Sequence, residues 1–176
     1  MVPIKFIYAS TKDGVIGHQN QLPWRLKEDL QQFKEKTLFG TVMMGSKTFD
    51  SLPPSIKPLP NRESIIVTSQ KSKYSKFGQV ATDPIQAIKR SSKPIWVIGG
   101  ATLFNQLKNF CSEVHHTEVD LKIDGDTRFE MDMSGWTVDE DSGPLRSSND
   151  IGYRIRVYKL PLVLLAPVSY THLRAH

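Results

Sequence analysis

Ile95-Trp96-Val97-Ile98-Gly99-Gly100-Ala101-Thr102-Leu103-Phe104-Asn105-Gln106-Leu107 reads as a strand, a turn and a helix in direct succession. Ile95–Ile98 is a short, continuous apolar run rich in β-branched residues, which suits a strand covered on both faces. Gly99-Gly100 interrupts it, and from Ala101 onward Leu103, Phe104 and Leu107 recur at helical spacing. A strand followed at once by a helix is the unit of a parallel sheet, because the helix is what covers the face.

The same alternation extends outward from this stretch. Toward the N-terminus, Ile4–Ala9 reads as a strand, Lys12-Asp13-Gly14 as a turn, and residues 15–23 as a loop punctuated by Gly17, Asn20 and Pro23. Leu26 to Lys36 is helical, with Leu26, Leu30 and Phe33 on the face that should meet the core. Thr41–Gly45 is a strand, Ser46 caps a short helix running to Phe49, and a proline-rich segment, Pro53–Pro60, precedes a strand at Ser64–Ser69. Asp83–Arg90 has Asp83 as N-cap and Pro84 in the first helical position. Toward the C-terminus, Glu113–Val119, Trp136–Glu140 and Tyr153–Leu160 are strands with no helices between them, which predicts an antiparallel edge. The expected fold is α/β: a single domain over residues 1–160 with a central, mostly parallel twisted sheet, an antiparallel C-terminal edge strand and about four flanking helices.

A chain of 176 residues, 39% hydrophobic and 23% charged, fits one globular domain. Its single cysteine, Cys111, excludes an internal disulfide and suits a reducing compartment, so a cytoplasmic location is expected. Met1–Ser10 lacks the pattern of a signal peptide, and no run approaches the roughly 18 apolar residues of a membrane span. The net charge of +5 is spread along the chain, which points to a solvated surface and not to a nucleic-acid partner. Residues 161–176 continue none of the patterning, and their end, VSYTHLRAH, reads like a translated sequencing adapter; they are expected to be a non-native or disordered tail.

Asp29 lies three residues after Leu26 and four before Phe33, within the apolar stripe of its helix. Burying a lone carboxylate costs several kcal/mol unless it is hydrogen-bonded or protonated, so the position asks for a reason. The competing explanation is that a negative charge in a first helical turn suits the helix dipole. His115-His116 makes a poor metal site, because adjacent strand residues point to opposite faces, and no metal is expected.

Leu22-Pro23-Trp24 before the helix, Asp29 within it and Phe33 one turn on give LPWxLxxDLxxF, which closely resembles the dihydrofolate reductases. Gly14–Gly17 with Asn20, Met44-Gly45 with Thr48, residues 58–62 (PLPNR), Ile98-Gly99-Gly100, Thr117, and Gly125-Asp126-Thr127 with Phe129 match further family motifs in the same order. The resemblance covers about residues 4–160. It implies NADPH-dependent reduction of 7,8-dihydrofolate, with hydride delivered to pterin C6 and a proton to N5, in support of one-carbon metabolism and thymidylate synthesis. It further implies a monomer with a small-molecule substrate, no nucleic acid and no membrane.

Residue by residue, the resemblance gives Asp29, Trp24 and Leu22 catalytic roles. Asp29 would bind the pterin 2-amino group and N3, assisted by Thr117. Ile7, Leu30, Phe33, Leu52 and Ile98 would line the substrate pocket, and Arg62 would pair with the carboxylate of the glutamate tail. Cofactor contacts would come from Ala9, Ile16, Gly17, Asn20, Gly45, Ser46, Lys47, Thr48, Ser69, Gln70, Gly99, Gly100, Ala101, Thr102, Leu103 and Phe104, and the family has a cis bond between the paired glycines. Ser46 and Thr102 stand where many relatives carry arginine, which bears on NADPH against NADH preference; Asn61 replaces a glycine but tolerates a left-handed backbone. The alternatives are a pyrimidine reductase of riboflavin synthesis, which shares the fold and cofactor, and a catalytically silent folate- or nucleotide-binding module.

Overall fold

The computed structural model describes residues 1–17 and 26–161. In chain order the elements are β1 (Ile4–Thr11), β2 (Val15–Gly17), α1 (Lys27–Thr37), β3 (Thr41–Gly45), α2 (Ser46–Ser51), β4 (Glu63–Val67), α3 (Lys71–Tyr74), β5 (Gln79–Ala81), α4 (Pro84–Arg90), β6 (Ile95–Val97) and α5 (Ala101–Leu107). There follow β7 (Glu113–Val119), β8 (Thr127–Arg128), β9 (Thr137–Asp141), β10 (Leu145–Arg146) and β11 (Gly152–Lys159). A nine-stranded sheet runs β10-β11-β7-β1-β6-β3-β4-β5, with β9 also on β11. From β7 to β5 neighbouring strands are parallel, and β11 with β9 and β10 forms the antiparallel end. The fold class read from the sequence is the one observed.

Alternate residues of the central strands feed two cores, which is why those strands are apolar throughout. Ile4 and Phe6 of β1, Met43 of β3, and Ile95 and Val97 of β6 pack with Ile88 of α4 and Leu103, Phe104 and Leu107 of α5. Ile7, Val42, Met44, Ile66 and Trp96 face the other way, toward Phe33 of α1 and Phe49 of α2. At the start of α4 the Asp83 carboxylate accepts the N–H groups of Ile85 and Gln86, and Pro84 fills the first turn, as the sequence predicts.

Several expectations are corrected. Ser46 does not cap α2 but is its first residue; the helix starts directly after β3, so the capping position falls on Gly45, which has no side chain to cap with. Leu30 does not meet the core: 47% of it is exposed, while Leu26 on the same face is buried. A fifth α-helix, α3, is too short to show a period in sequence and is anchored by buried Tyr74. Strands β2, β5, β8 and β10 are likewise too short for alternation to register. The tail from residue 162 onward lies outside the described residues.

His115 and His116 occupy opposite faces of β7. His115 lies edge-on to Trp96, and its Nε2 is 2.6 Å from Glu113 Oε2. His116 packs on Tyr8, with its Nε2 2.7 Å from Ser10 Oγ. The Ser10 hydroxyl donates to the Thr11 carbonyl, which makes His116 Nε2 the donor to Ser10. Burial, reinforced by nearby Arg156, pushes His116 down to about 4. An unfolded chain would protonate this ring near pH 6.5, before the folded one does, so its stabilising contribution is complete above that value and is lost as pH falls toward 4. Urea unfolding should therefore show about 2 kcal/mol less stability near pH 4.5 than near pH 7, and His116→Leu should remove most of that difference. An unchanged pH dependence in the variant would locate the effect elsewhere.

Candidate functional site

The C-terminal ends of β1, β3 and β6 meet near the centre of the sheet, where open α/β sheets bind their ligands. A cleft of about 620 Å³ opens there. Ile7, Tyr8 and Ala9 of β1, Gly45 at the end of β3, Val67 of β4, and Ile98, Gly99 and Gly100 after β6 form its floor. One wall is α1, through Asp29, Leu30, Gln32 and Phe33; the other is α2 with Leu52, and α5. Ile16, Gly17 and Thr127 close one side where β2 pairs with β8.

At the α1 end, polar groups converge on one carboxylate. Thr117 of β7, 88 residues away in sequence and 1% exposed, donates its hydroxyl to Asp29 Oδ1 at 2.6 Å. Gln32, one turn along α1, donates its amide to the same oxygen at 2.8 Å. Among the described residues both donors reach Oδ1, which leaves Oδ2 as the free acceptor. Around this pair the surface is apolar: Ile7, Leu30, Phe33, Leu52 and Ile98. A half-exposed leucine on the wall of such a cleft is surface that a ligand covers.

The other end is built from bare backbone. A Cβ at Gly45 would meet nothing within 4 Å, and one at Gly99 or Gly100 would lie 3.6 Å from the Thr48 hydroxyl. The peptide between Gly99 and Gly100 is cis, and the Gly99 carbonyl accepts the N–H of Gly45. Gly99, at φ 130°, holds a conformation that other residues rarely adopt. Ser46, Lys47, Thr48 and Thr102 line this end with hydroxyls and one amine, and Ala9, Ile16, Ala101, Leu103 and Phe104 give it an apolar side. The donor set and the room left by the glycines fit a dinucleotide bearing phosphates and a flat ring.

Most residues singled out in the sequence converge here. Ser69 and Gln70 do not line the cleft; they are exposed beyond the end of β4. Arg62 lies at the margin, its guanidinium 6.0 Å from the Phe33 ring, with Nε donating to the Pro60 carbonyl and one terminal nitrogen to the Thr37 hydroxyl. Asn61 adopts φ 61°, the left-handed conformation anticipated for it. Asn20, Leu22 and Trp24 fall outside the described residues. Tyr8, Gln32, Ser51, Val67 and Gln106 line the cleft without having been singled out, and Thr127, noted only as part of a motif, joins them. Of these, Gln32 carried a signal, an amide one turn from Asp29 on the same helical face.

The family model for dihydrofolate reductase matches residues 3–160. The dihydrofolate reductase of Bacillus subtilis is 34% identical over 160 residues, covering 89% of this chain and 94% of its own length. That of Mycobacterium tuberculosis H37Rv is 33% identical over 162 residues, 90% of this chain and 97% of the other. A bifunctional dihydrofolate reductase-thymidylate synthase from Paramecium tetraurelia is 36% identical over 84% of this chain, which spans only 32% of that longer protein. Among solved structures, dihydrofolate reductase from Enterococcus faecalis, complexed with NADP(H) and RAB-propyl, superposes with a TM-score of 0.77 at 31% identity, covering 89% of this chain and 95% of that one.

Proposed function

The chain belongs to the dihydrofolate reductase family of NADPH-dependent oxidoreductases, and we propose that its cleft reduces 7,8-dihydrofolate by hydride transfer to C6 and protonation at N5. The observation that carries this reading is the Asp29–Thr117 pair at one end of a cleft whose other end is bare glycine backbone. When bound, NADPH supplies the hydride. Gly45, Gly99, Gly100, Ser46, Lys47, Thr48 and Thr102 would hold the cofactor, and Ile7, Leu30, Phe33, Leu52 and Ile98 would enclose the pterin and exclude water. Asp29 Oδ2 would accept from the pterin 2-amino group and N3, fixing the ring while the carboxylate assists proton delivery to N5 through solvent. Arg62, already tied to Pro60 and Thr37, would offer its remaining terminal nitrogen to the carboxylate of the glutamate tail.

Catalytic and covering roles for Leu22 and Trp24, and a cofactor contact from Asn20, are part of the same proposal and rest on the sequence motif. So are action as a cytoplasmic monomer and supply of tetrahydrofolate to one-carbon transfer. The test is loss of NADPH absorbance that depends on added dihydrofolate. Turnover with dihydrofolate supports the reading; tight binding of both ligands without turnover supports a silent module, and turnover with a ribosyl pyrimidine alone supports the riboflavin-pathway reductase.

At the cofactor's phosphate end Lys47 is the one cation lining the cleft among the described residues, where many relatives use the arginine that Ser46 replaces. Lys47→Ala is expected to lower kcat/KM for NADPH about tenfold, equivalent to roughly 1.4 kcal/mol, and for NADH about twofold or less. Equal losses for the two cofactors would remove Lys47 from 2′-phosphate recognition.

A further inference from the structure

Gln31 and Gln32 are adjacent on α1, and each makes a helical side-chain pair. Gln31 donates to Glu35 at 2.9 Å on the exposed face, an ordinary solvent-facing pair. Gln32 donates to Asp29, on the same oxygen that Thr117 uses, and lines the cleft. Its other amide atom, Oε1, is buried and has no hydrogen-bond partner among the described residues. A buried acceptor without a donor costs about 1–3 kcal/mol. The amide cannot turn over to relieve this, because reversal would set Oε1 against the acceptor-only carboxylate. The fold therefore keeps the Gln32–Asp29 bond at the expense of a stranded carbonyl, which an arrangement made only to stabilise the helix would not require.

We propose that Gln32 is a positioning residue for the proton step: with Thr117 it engages Asp29 Oδ1, turns Oδ2 toward the substrate and fixes the orientation of the carboxylate. This rests on the reading of Asp29 given above. Hydrogen bonds to a carboxylate favour its ionised state, so removing a donor is read out in a pH profile. Asp29 acts electrostatically on Lys36 of α1 and on Tyr153 of β11, with Glu140 of β9 and Glu113 of β7 also acting on Lys36 and Glu28 of α1 on Tyr153. None of these makes a hydrogen bond to Oδ1 among the described residues, so the local control falls to Thr117 and Gln32.

The measurement is the pH profile of kcat/KM for dihydrofolate with saturating NADPH, for wild type, Gln32→Met, Gln32→Glu and Asp29→Asn. Methionine keeps the length and helix preference of glutamine and removes the donor. Its alkaline limb, where activity falls as the proton is lost, should move up by about one pH unit. Glutamate puts a second carboxylate against Asp29, so the pair shares a proton and the limb should move further in the same direction. Glutamate also preserves shape, so a folding defect confined to the methionine variant leaves the test standing. Limbs that coincide with wild type in both variants overturn the proposal, whatever happens to thermal stability. If Asp29→Asn keeps full turnover, the reading beneath it fails instead; if Asp29→Asn is inactive and the Gln32 limbs stay in place, only the role of Gln32 is lost.

Discussion

Replacing Asp29 by asparagine is expected to lower kcat for dihydrofolate reduction by about 100-fold to 10,000-fold, the range over which a positioned acid or base contributes. The substitution keeps the side chain's shape, and the Thr117 hydroxyl retains an oxygen acceptor at its 2.6 Å position. What disappears is the charge and, in the proposed complex, one of the acceptors that would face the pterin. Because the proposed interaction lost is with the reacting ring and not the cofactor, KM for NADPH should change by about twofold or less. Single-turnover reduction followed by NADPH absorbance is the decisive measurement. A variant with kcat within about threefold of wild type would leave Asp29 as a structural carboxylate capped by Thr117, and the proton would need another route.

The largest stability effect is expected from Phe104→Ala. Phe104 is 1% exposed and touches three aromatic rings, Phe6 at 4.8 Å, Tyr8 at 5.2 Å and stacked Phe129 at 5.0 Å between centroids. It joins α5 to β1 and to the segment after β8, while its edge lines the cleft. Truncation removes these contacts, and the cost should be about 3–5 kcal/mol in urea unfolding. That is a large share of the roughly 5–15 kcal/mol by which domains of this size are stable. KM for NADPH should rise as well, because the hole opens into the cofactor's side of the cleft. Leu30→Ala, half-exposed on the opposite wall, should cost about 0.5 kcal/mol or less while weakening dihydrofolate binding. If the two variants unfolded at the same urea concentration, the division between a packed wall and a ligand-covered wall would be wrong.

The central sheet was legible because burial on both faces writes itself as unbroken apolar runs. Thr41–Gly45 and Ile95–Val97 could be read from composition alone, and so could the helix started by Asp83 and Pro84. Short strands were illegible for a physical reason: Thr127–Arg128 is held by pairing with Val15–Gly17, a contact distant in sequence, and no local pattern specifies it. The carboxylate of the site was visible as a polar residue in an apolar stripe, yet its partners were unequal in legibility. Thr117 is one threonine on a strand and is visible only through the motif, whereas Gln32 sits one turn from Asp29, at a position where a glutamine on a helix is usually solvated. Leu30 shows the limit of periodicity, which identifies a face but not whether protein or ligand covers it.

Strand β7 sets neighbouring residues to opposite tasks. In the proposed reaction Thr117 would serve a step that consumes a proton, so on its face of the sheet acidity would assist turnover. His116, one residue earlier and on the other face, stays neutral only while acidity is low, and below about pH 6.5 it draws down the stability of the fold. On the proposed mechanism the two faces of one strand would bracket the working range: proton supply would limit it from the alkaline side and the stability of the sheet from the acid side. A variant selected for activity in acid would be expected to change position 116 before it changed anything in the cleft.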